Sequence, residues 1–247
     1  MKEKVALRIA TYNIGDYTGK GFDRGSEEGL EKIRESMSAV GADLWALQED
    51  VCCYGGNYGS YPSGTVYAGF GQYERRGCER YNYKAFLTTL PLTSVKQRFY
   101  TNGKFDHPWY LTGKVRIGEK TVTVISLHLD WSDRETRLEQ IRQIIAYASQ
   151  FEFVLIMGDF NTDDYENRVK LSMRSTHRED YSLFTDSGFR LANGGKFGEF
   201  HTFLDTPNNP HAIDNIITSS GIRIVDAGVR CDEWMYDHAI MWADIEI

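Results

Sequence analysis

The chain has 247 residues, 41% of them hydrophobic and 26% charged, with 35 acidic side chains against 28 Lys and Arg for a net charge of −7. This length suits one domain, expected here over residues 1–247, with room for a large core, and no stretch is long and apolar enough to span a bilayer as a helix. The acidity argues against a broad basic surface for nucleic acid, because phosphate neutralisation by Lys and Arg dominates that kind of affinity, but it leaves open a local basic groove or a small substrate.

Met1 to Lys4 is charged and runs straight into a strand-like pattern without an apolar signal-peptide core, so a cytoplasmic location is expected, although a trimmed leader would leave the same pattern. Val5 to Asn13 reads as a first strand. Ser26 caps a helix whose first turn holds Glu27 and Glu28, and Leu30, Ile33, Met37 and Val40 recur at helical spacing before Gly41. Leu44 to Gln48 follows as a short buried strand ending at Glu49. From Cys52 to Arg80 the composition turns to Gly, Tyr, Ser and Arg, which reads as an ordered surface loop. Arg75, Arg76 and Arg80, interleaved with Tyr73, Tyr81 and Tyr83, either contact phosphates or cover one end of the fold. The four cysteines, Cys52, Cys53, Cys78 and Cys231, lack zinc-site spacing, and reduced thiols are expected over a long-range disulfide.

Tyr83 to Thr89, Lys96 to Thr101, Trp109 to Ile117 and Thr121 to Leu129 form the next strands, separated by Pro91, Asn102-Gly103 and Gly118. Ser132 and Glu135 make a capping-box pattern before a helix with Leu138, Ile141, Ile144, Ile145 and Ala148 on its apolar face. Phe153 to Met157 is a continuous apolar run suited to a central strand. Ala212 to Thr218, Ile222 to Val229 and His238 to Ile247 complete the set. Many strands with hairpin-like connections and few helices point to two packed, mostly antiparallel β-sheets with helices outside.

Isolated polar residues punctuate the ends of these apolar strands. Asn13, Glu49, His128, Asp159 and Asn161 fall at strand ends, whereas Asp214, Asp237 and His238 fall at strand beginnings. If the tail strands run antiparallel to the earlier ones, all of these converge on one cleft. Taken singly, each has a plainer explanation: Asn13 a strand-end cap, Gly158-Asp159 a turn, His128 a satisfied core histidine. Taken together they match what hydrolysis of a phosphate ester requires. Oxygen ligands such as Glu49 and Asp237 suit Mg²⁺ or Mn²⁺. A histidine held by a carboxylate can take a proton from water near neutral pH, and Asp159 and Asn161 can orient that water or a phosphoryl oxygen.

Arg8-Ile9-Ala10-Thr11-Tyr12-Asn13, Leu47-Gln48-Glu49, Ser126-Leu127-His128, Met157-Gly158-Asp159-Phe160-Asn161, Ile213-Asp214 and Tyr236-Asp237-His238 together resemble the ordered signature of the endonuclease/exonuclease/phosphatase superfamily, typified by deoxyribonuclease I. The resemblance implies a four-layer sandwich and a metal-dependent hydrolase of phosphate esters, the alternative being a catalytically silent binding module of the same fold. It implies Glu49 as the main metal ligand with Asn13 beside it and Asp237 near a metal or phosphate position. His238 is then the general base oriented by Asp214. Asp159 and Asn161 place the water and the scissile phosphate, and His128 binds the phosphate or assists the leaving group. Arg137 and Gln140 resemble a structural Arg-x-x-Gln feature. Two departures stand out: Tyr236 where Ser is usual, and Tyr83-Lys84 where many relatives carry Gly or an acidic partner for the first histidine, which leaves the partner of His128 unidentified. His128, where abasic-site repair relatives carry Tyr, lowers a DNA-repair reading. The expected partner is a small organic phosphodiester or a nucleic-acid end rather than long duplex DNA, and the expected state is a monomer. His107, His177, His201 and His211 receive no role.

Overall fold

A computed structural model describes residues 6–15, 26–49, 62, 64–75, 78–101, 107–162, 178–206, 209–232 and 238–247. In chain order the elements are β1 (Ala6–Asn13), α1 (Glu27–Val40), β2 (Leu44–Gln48), β3 (Thr65–Arg75), β4 (Cys78–Thr88), β5 (Leu92–Phe99), β6 (Trp109–Ile117), β7 (Lys120–His128), α2 (Arg134–Ala148), β8 (Val154–Asp159), α3 (Arg178–Asp186), β9 (Arg190–Leu191), β10 (Phe203–Thr206), β11 (Asn209–His211), β12 (Asp214–Thr218), β13 (Arg223–Arg230) and β14 (Ile240–Glu246).

The strands form two six-stranded sheets, ordered β13-β14-β1-β2-β4-β3 and β5-β6-β7-β8-β12-β9, with β10 and β11 as a separate pair. Each sheet holds one parallel pair, β1 with β2 and β7 with β8, and its other pairings are antiparallel. A parallel pair needs a crossover, and α1 and α2 are the two crossovers.

Strand alternation sorts the apolar side chains into three clusters. Ile9, Leu44, Ala46, Phe86, Trp109, Val122, Val124, Leu155, Met157 and Ile216 pack between the sheets. Ala10, Tyr12, Trp45, Leu47, Ala85 and Leu87 face Leu30, Ile33 and Met37 of α1. Ile125, Leu127, Val154, Ile156 and Ile217 face Ile141 and Ile144 of α2 and Tyr181 and Phe184 of α3. The result is the expected four-layer sandwich: α1, sheet, sheet, then α2 with α3. No helix among the described residues is long and apolar enough to cross a membrane.

The first helix begins as its sequence dictates, with Ser26 Oγ accepting from the Gly29 amide at 3.1 Å and Gly41 ending it at φ 64°. The second departs from expectation. Asp133, not Ser132, is its N-cap and accepts from the Thr136 amide, because Asp130 Oδ1 already holds Ser132 Oγ at 2.9 Å and the amides of Ser132 and Asp133.

The expected loop over Cys52 to Arg80 also requires correction, since Thr65–Arg75 and Cys78–Thr88 pair along their whole length as an antiparallel hairpin. Glycine and arginine masked the β-prone Val66, Tyr67, Phe70 and Tyr73. Cys52 and Cys53 lie outside the described residues. The helix α3 was not expected from the sequence; its buried Tyr181 and Phe184 lie one turn apart, and a buried ion pair to α2 holds it. Arg137 Nε and Asp180 Oδ2 stand 3.1 Å apart, both fully buried.

Candidate active site

The same alternation that builds the core carries the polar strand ends into one place. On β1 the residues facing the other sheet are Ile9, then Thr11, then Asn13, and on β2 they are Leu44, Ala46, then Gln48. The last inward position of each strand is therefore polar. Gln48 pairs in register with both Asn13 and Lys84, so Asn13, Gln48 and Lys84 stand side by side across β1, β2 and β4. In the facing sheet Asp159 pairs with both His128 and Asp214, so His128, Asp159 and Asp214 make a matching row across β7, β8 and β12. The two rows face one another across one end of the sandwich. Asn13 Nδ2 donates to Asp159 Oδ2 at 3.1 Å, and Gln48 Nε2 to Ser126 Oγ at 3.2 Å.

Glu49 and His238 complete the cluster from the flanks. Glu49 turns away from β2 at φ 48°, a left-handed conformation uncommon outside glycine and concentrated at functional sites. Its Oε1 accepts from Asn13 Nδ2 at 3.3 Å, and its side chain keeps 39% of its surface exposed while its neighbours are buried. His238 pairs with Phe203, and the next amide, Ala239, donates to Thr202 O at 2.7 Å. Thr202 Oγ1 in turn accepts from the Asp214 amide at 2.9 Å, which ties the Asp214 and His238 backbones together. Their side chains meet with His238 Nδ1 2.8 Å from Asp214 Oδ2, and His238 Nε2 lies 3.6 Å from Asp159 Oδ2.

Asn161, at φ 49°, donates its amide to Asp159 Oδ1 at 2.9 Å and its Nδ2 to Leu129 O at 2.9 Å. His128 Nε2 lies 3.3 Å from Asp159 Oδ2 and its Nδ1 3.7 Å from Glu49 Oε1. The structure thus brings together Asn13, Glu49, His128, Asp159, Asn161, Asp214 and His238. Asp237, also expected at the site, lies outside the described residues, as do Tyr236 and His177.

Two residues of the cluster, Lys84 and His107, were not expected from the sequence, and Gln140, whose structural role the resemblance implied, supports them. Lys84 is fully buried, its Nζ 4.1 Å from the centre of the Trp109 ring, and burial pushes its ammonium down to about 7 although Glu49 and Asp159 pull the other way. His107 stacks on His128 with ring centres 3.6 Å apart. Gln140 holds this stack from behind: its Nε2 donates to His107 O at 3.1 Å and its Oε1 accepts from the Asp130 amide at 2.8 Å, two residues past His128. Among the described residues His128 thus stands between the His107 ring and two carboxylates, Asp159 and, farther off, Glu49. A histidine before Pro108 reads as a turn residue, and only the pairing of β6 with β7 reveals its neighbour. His211 is buried near Phe203, and His201 is exposed.

The electrostatics follow from burial. Burial and then the neighbouring Asp214 raise the Asp159 carboxyl to about 7. Burial, followed by His107, Lys84 and His238, holds the His128 imidazole well below its usual range, so His128 is neutral at pH 7. Donor chemistry fits a hard divalent cation. Asp159, Asp214 and His238 bring ligand atoms within 4.8 Å of one another. The buried oxygens Asn13 Oδ1 and Asp214 Oδ1 accept no hydrogen bond among the described residues, so each retains lone pairs for a ligand not drawn from these residues.

Comparison with known proteins agrees with this architecture. A protein of Bacteroides vulgatus described as an endonuclease/exonuclease/phosphatase superposes with a TM-score of 0.74 at 13% identity, covering 98% of this chain and 99% of that one. A mannosyl-6-phosphatase of Bacteroides thetaiotaomicron VPI-5482 gives 0.71 at 15% identity, over 97% and 99%. A humanized D. rerio TDP2 gives 0.67 at 14%, over 97% and 98%. At these identities the likeness is one of fold. No curated protein matched by sequence. The model of the Endonuclease/Exonuclease/phosphatase family matches residues 10–234, from the first strand to the threshold of the last, and the chain belongs to that family.

Proposed function

We propose that the protein is a divalent-metal-dependent hydrolase of phosphate esters in which the Asp214–His238 pair activates water. The observation that carries this reading is the buried 2.8 Å contact between His238 Nδ1 and Asp214 Oδ2, with His238 Nε2 directed at the Asp159 side of the cluster. With Nδ1–H donated to the carboxylate, Nε2 is the atom that exchanges a proton, and the anion stabilises the imidazolium formed when it does. Asp159, held by Asn13 and the Asn161 amide, orients the water, and the Asn161 and His128 side chains line the phosphoryl position. A neutral His128 contributes there as a hydrogen-bonding group, without bringing charge of its own.

Glu49 and Asn13, with Asp237, are the residues assigned to the cation. Glu49 is the exposed carboxylate at the mouth, whereas Asp214 is already engaged by His238. Mg²⁺ or Mn²⁺ suits such oxygen donors, and the chemistry a bound ion supplies is polarisation of phosphoryl oxygens and offset of their charge. The phosphatase named among the structural neighbours supports an ester of a small organic phosphate as substrate, as does the acidic net charge.

The test offers purified protein bis-nitrophenyl phosphate, nitrophenyl phosphate, plasmid and single-stranded RNA with Mg²⁺, Mn²⁺ or chelator. Turnover that disappears with chelator, and falls at least about a hundredfold in His238→Ala with folding intact, is the expected result. Absence of turnover on every substrate with either metal would refute the reading in favour of a silent binding module.

A further inference from the structure

Lys84 has no part in the chemistry described above, yet it stands in the site's own row. Its register partner is Gln48, the residue before Glu49, and its ammonium is buried between the sheets over Trp109. Burying an ammonium this completely is costly unless opposing charge lies near. Among the described residues the charges that act on it favourably are Glu49 and Asp159, a residue assigned to the cation and one assigned to the water. Lys84 also acts on His128 from the same position. The acidic cluster thus contains a covalently attached cation at its back wall.

We propose that Lys84 is a charge-setting residue of this site, a resident cation that takes up part of the Glu49 and Asp159 charge and thereby weakens the site's hold on a divalent ion. This rests on the metal-dependent reading above. A like charge opposes the binding of a dication, and at a separation of about 6 Å even a water-like dielectric leaves a repulsion that corresponds to a factor on the order of ten in affinity. The aromatic face and the interior position keep the ammonium from swinging away to solvent when an ion enters. An ion held less tightly is released with product more readily, so a weak site and turnover are compatible.

The measurement is calorimetric titration of Mn²⁺ into metal-stripped wild type, Lys84→Met and Lys84→Arg. Methionine keeps the apolar stem packed on Trp109 without the charge, and arginine keeps the charge. Lys84→Met is expected to bind Mn²⁺ on the order of tenfold more tightly, with Lys84→Arg near wild type. The rise in melting temperature on adding a fixed concentration of Mn²⁺ is expected to be larger for Lys84→Met. A merely structural lysine would give the opposite, since its loss loosens the site. If wild type binds Mn²⁺ and Lys84→Met binds it no more tightly, the role of Lys84 is refuted while the metal reading stands. If neither binds, the metal reading fails and takes this inference with it. Lys84→Gln serves as a second uncharged variant, and failure of both uncharged variants to fold even with Mn²⁺ would mark Lys84 as structural and overturn the proposal.

Discussion

Gly158 sits in β8 between two site-forming contacts, and replacing it with alanine should damage both stability and the site. Its φ is 151°, and a Cβ placed there would lie 2.1 Å from Leu127 O and 2.9 Å from Leu127 C on the adjoining strand. Cβ to backbone oxygen contacts do not fall below 3.0 Å, so β7 and β8 must part by about 1 Å or the backbone must twist. The unfavourable conformation costs about 1–3 kcal/mol. Disturbing the backbone hydrogen bonds on either side, Leu129 N to Asp159 O at 2.9 Å among them, costs about 1 kcal/mol each. The sum is about 3–5 kcal/mol, a large share of the roughly 5–15 kcal/mol that holds a domain of ordinary stability together. Urea unfolding followed by circular dichroism measures it. The same displacement separates His128 from Asp159, now 3.3 Å apart, and an error of about 1 Å in positioning lowers turnover about a hundredfold. A Gly158→Ala protein within about 1 kcal/mol of wild type would show that the close approach of these strands is not what the site depends on.

Asp214→Asn is nearly isosteric but cannot hold the same tautomer of His238. Turnover should fall on the order of a hundredfold to ten-thousandfold, measured as kcat on whichever substrate is hydrolysed, and a near-normal rate would remove Asp214 from its orienting role. Arg137→Met leaves Asp180 buried with only the partly exposed Arg134 beside it, and a loss of about 3 kcal/mol in urea unfolding is expected. In metal-free buffer the pH dependence of stability should show two limbs of opposite sign. The folded-state value of Lys84, about 7, lies below the ordinary 10.5, so the folded protein binds fewer protons between them and gains stability as pH rises through that window. The folded-state value of Asp159, about 7, lies above the ordinary 3.8, so stability is present at low pH and lost as pH rises from about 3.8 to 7. Subtracting the melting curves of Lys84→Met and Asp159→Asn from wild type isolates each limb, and a difference that is flat with pH would contradict the corresponding shift.

Much of the architecture was legible in the chain because its signals are local. Ser26, the Leu30, Ile33, Met37 and Val40 stripe, and Gly41 each act within one helical turn and specify α1 without help from elsewhere. Continuous apolar runs such as Val154 to Met157 mark strands buried on both faces. The Cys52 to Arg80 segment misled for the complementary reason: a long hairpin is specified by pairing between strands, and its glycine-rich composition hides the alternation.

The site divides along the same line. Asn13, Glu49, Asp159 and Asp214 could be picked out by the sequence alone, since polar residues that punctuate the ends or beginnings of apolar strands have no place in a core. Their convergence depended on β12 and β14 running antiparallel to β8 and β1, which the tertiary structure decided. Lys84 and His107 could not be found that way. A lysine two residues before Phe86 and a histidine before a proline are ordinary in sequence, and what sets them apart is which side chains stand opposite them. For Lys84 that depends on how one sheet is laid over the other, and for His107 on which strand ends lie side by side in one sheet, relations between residues distant along the chain that no local pattern encodes.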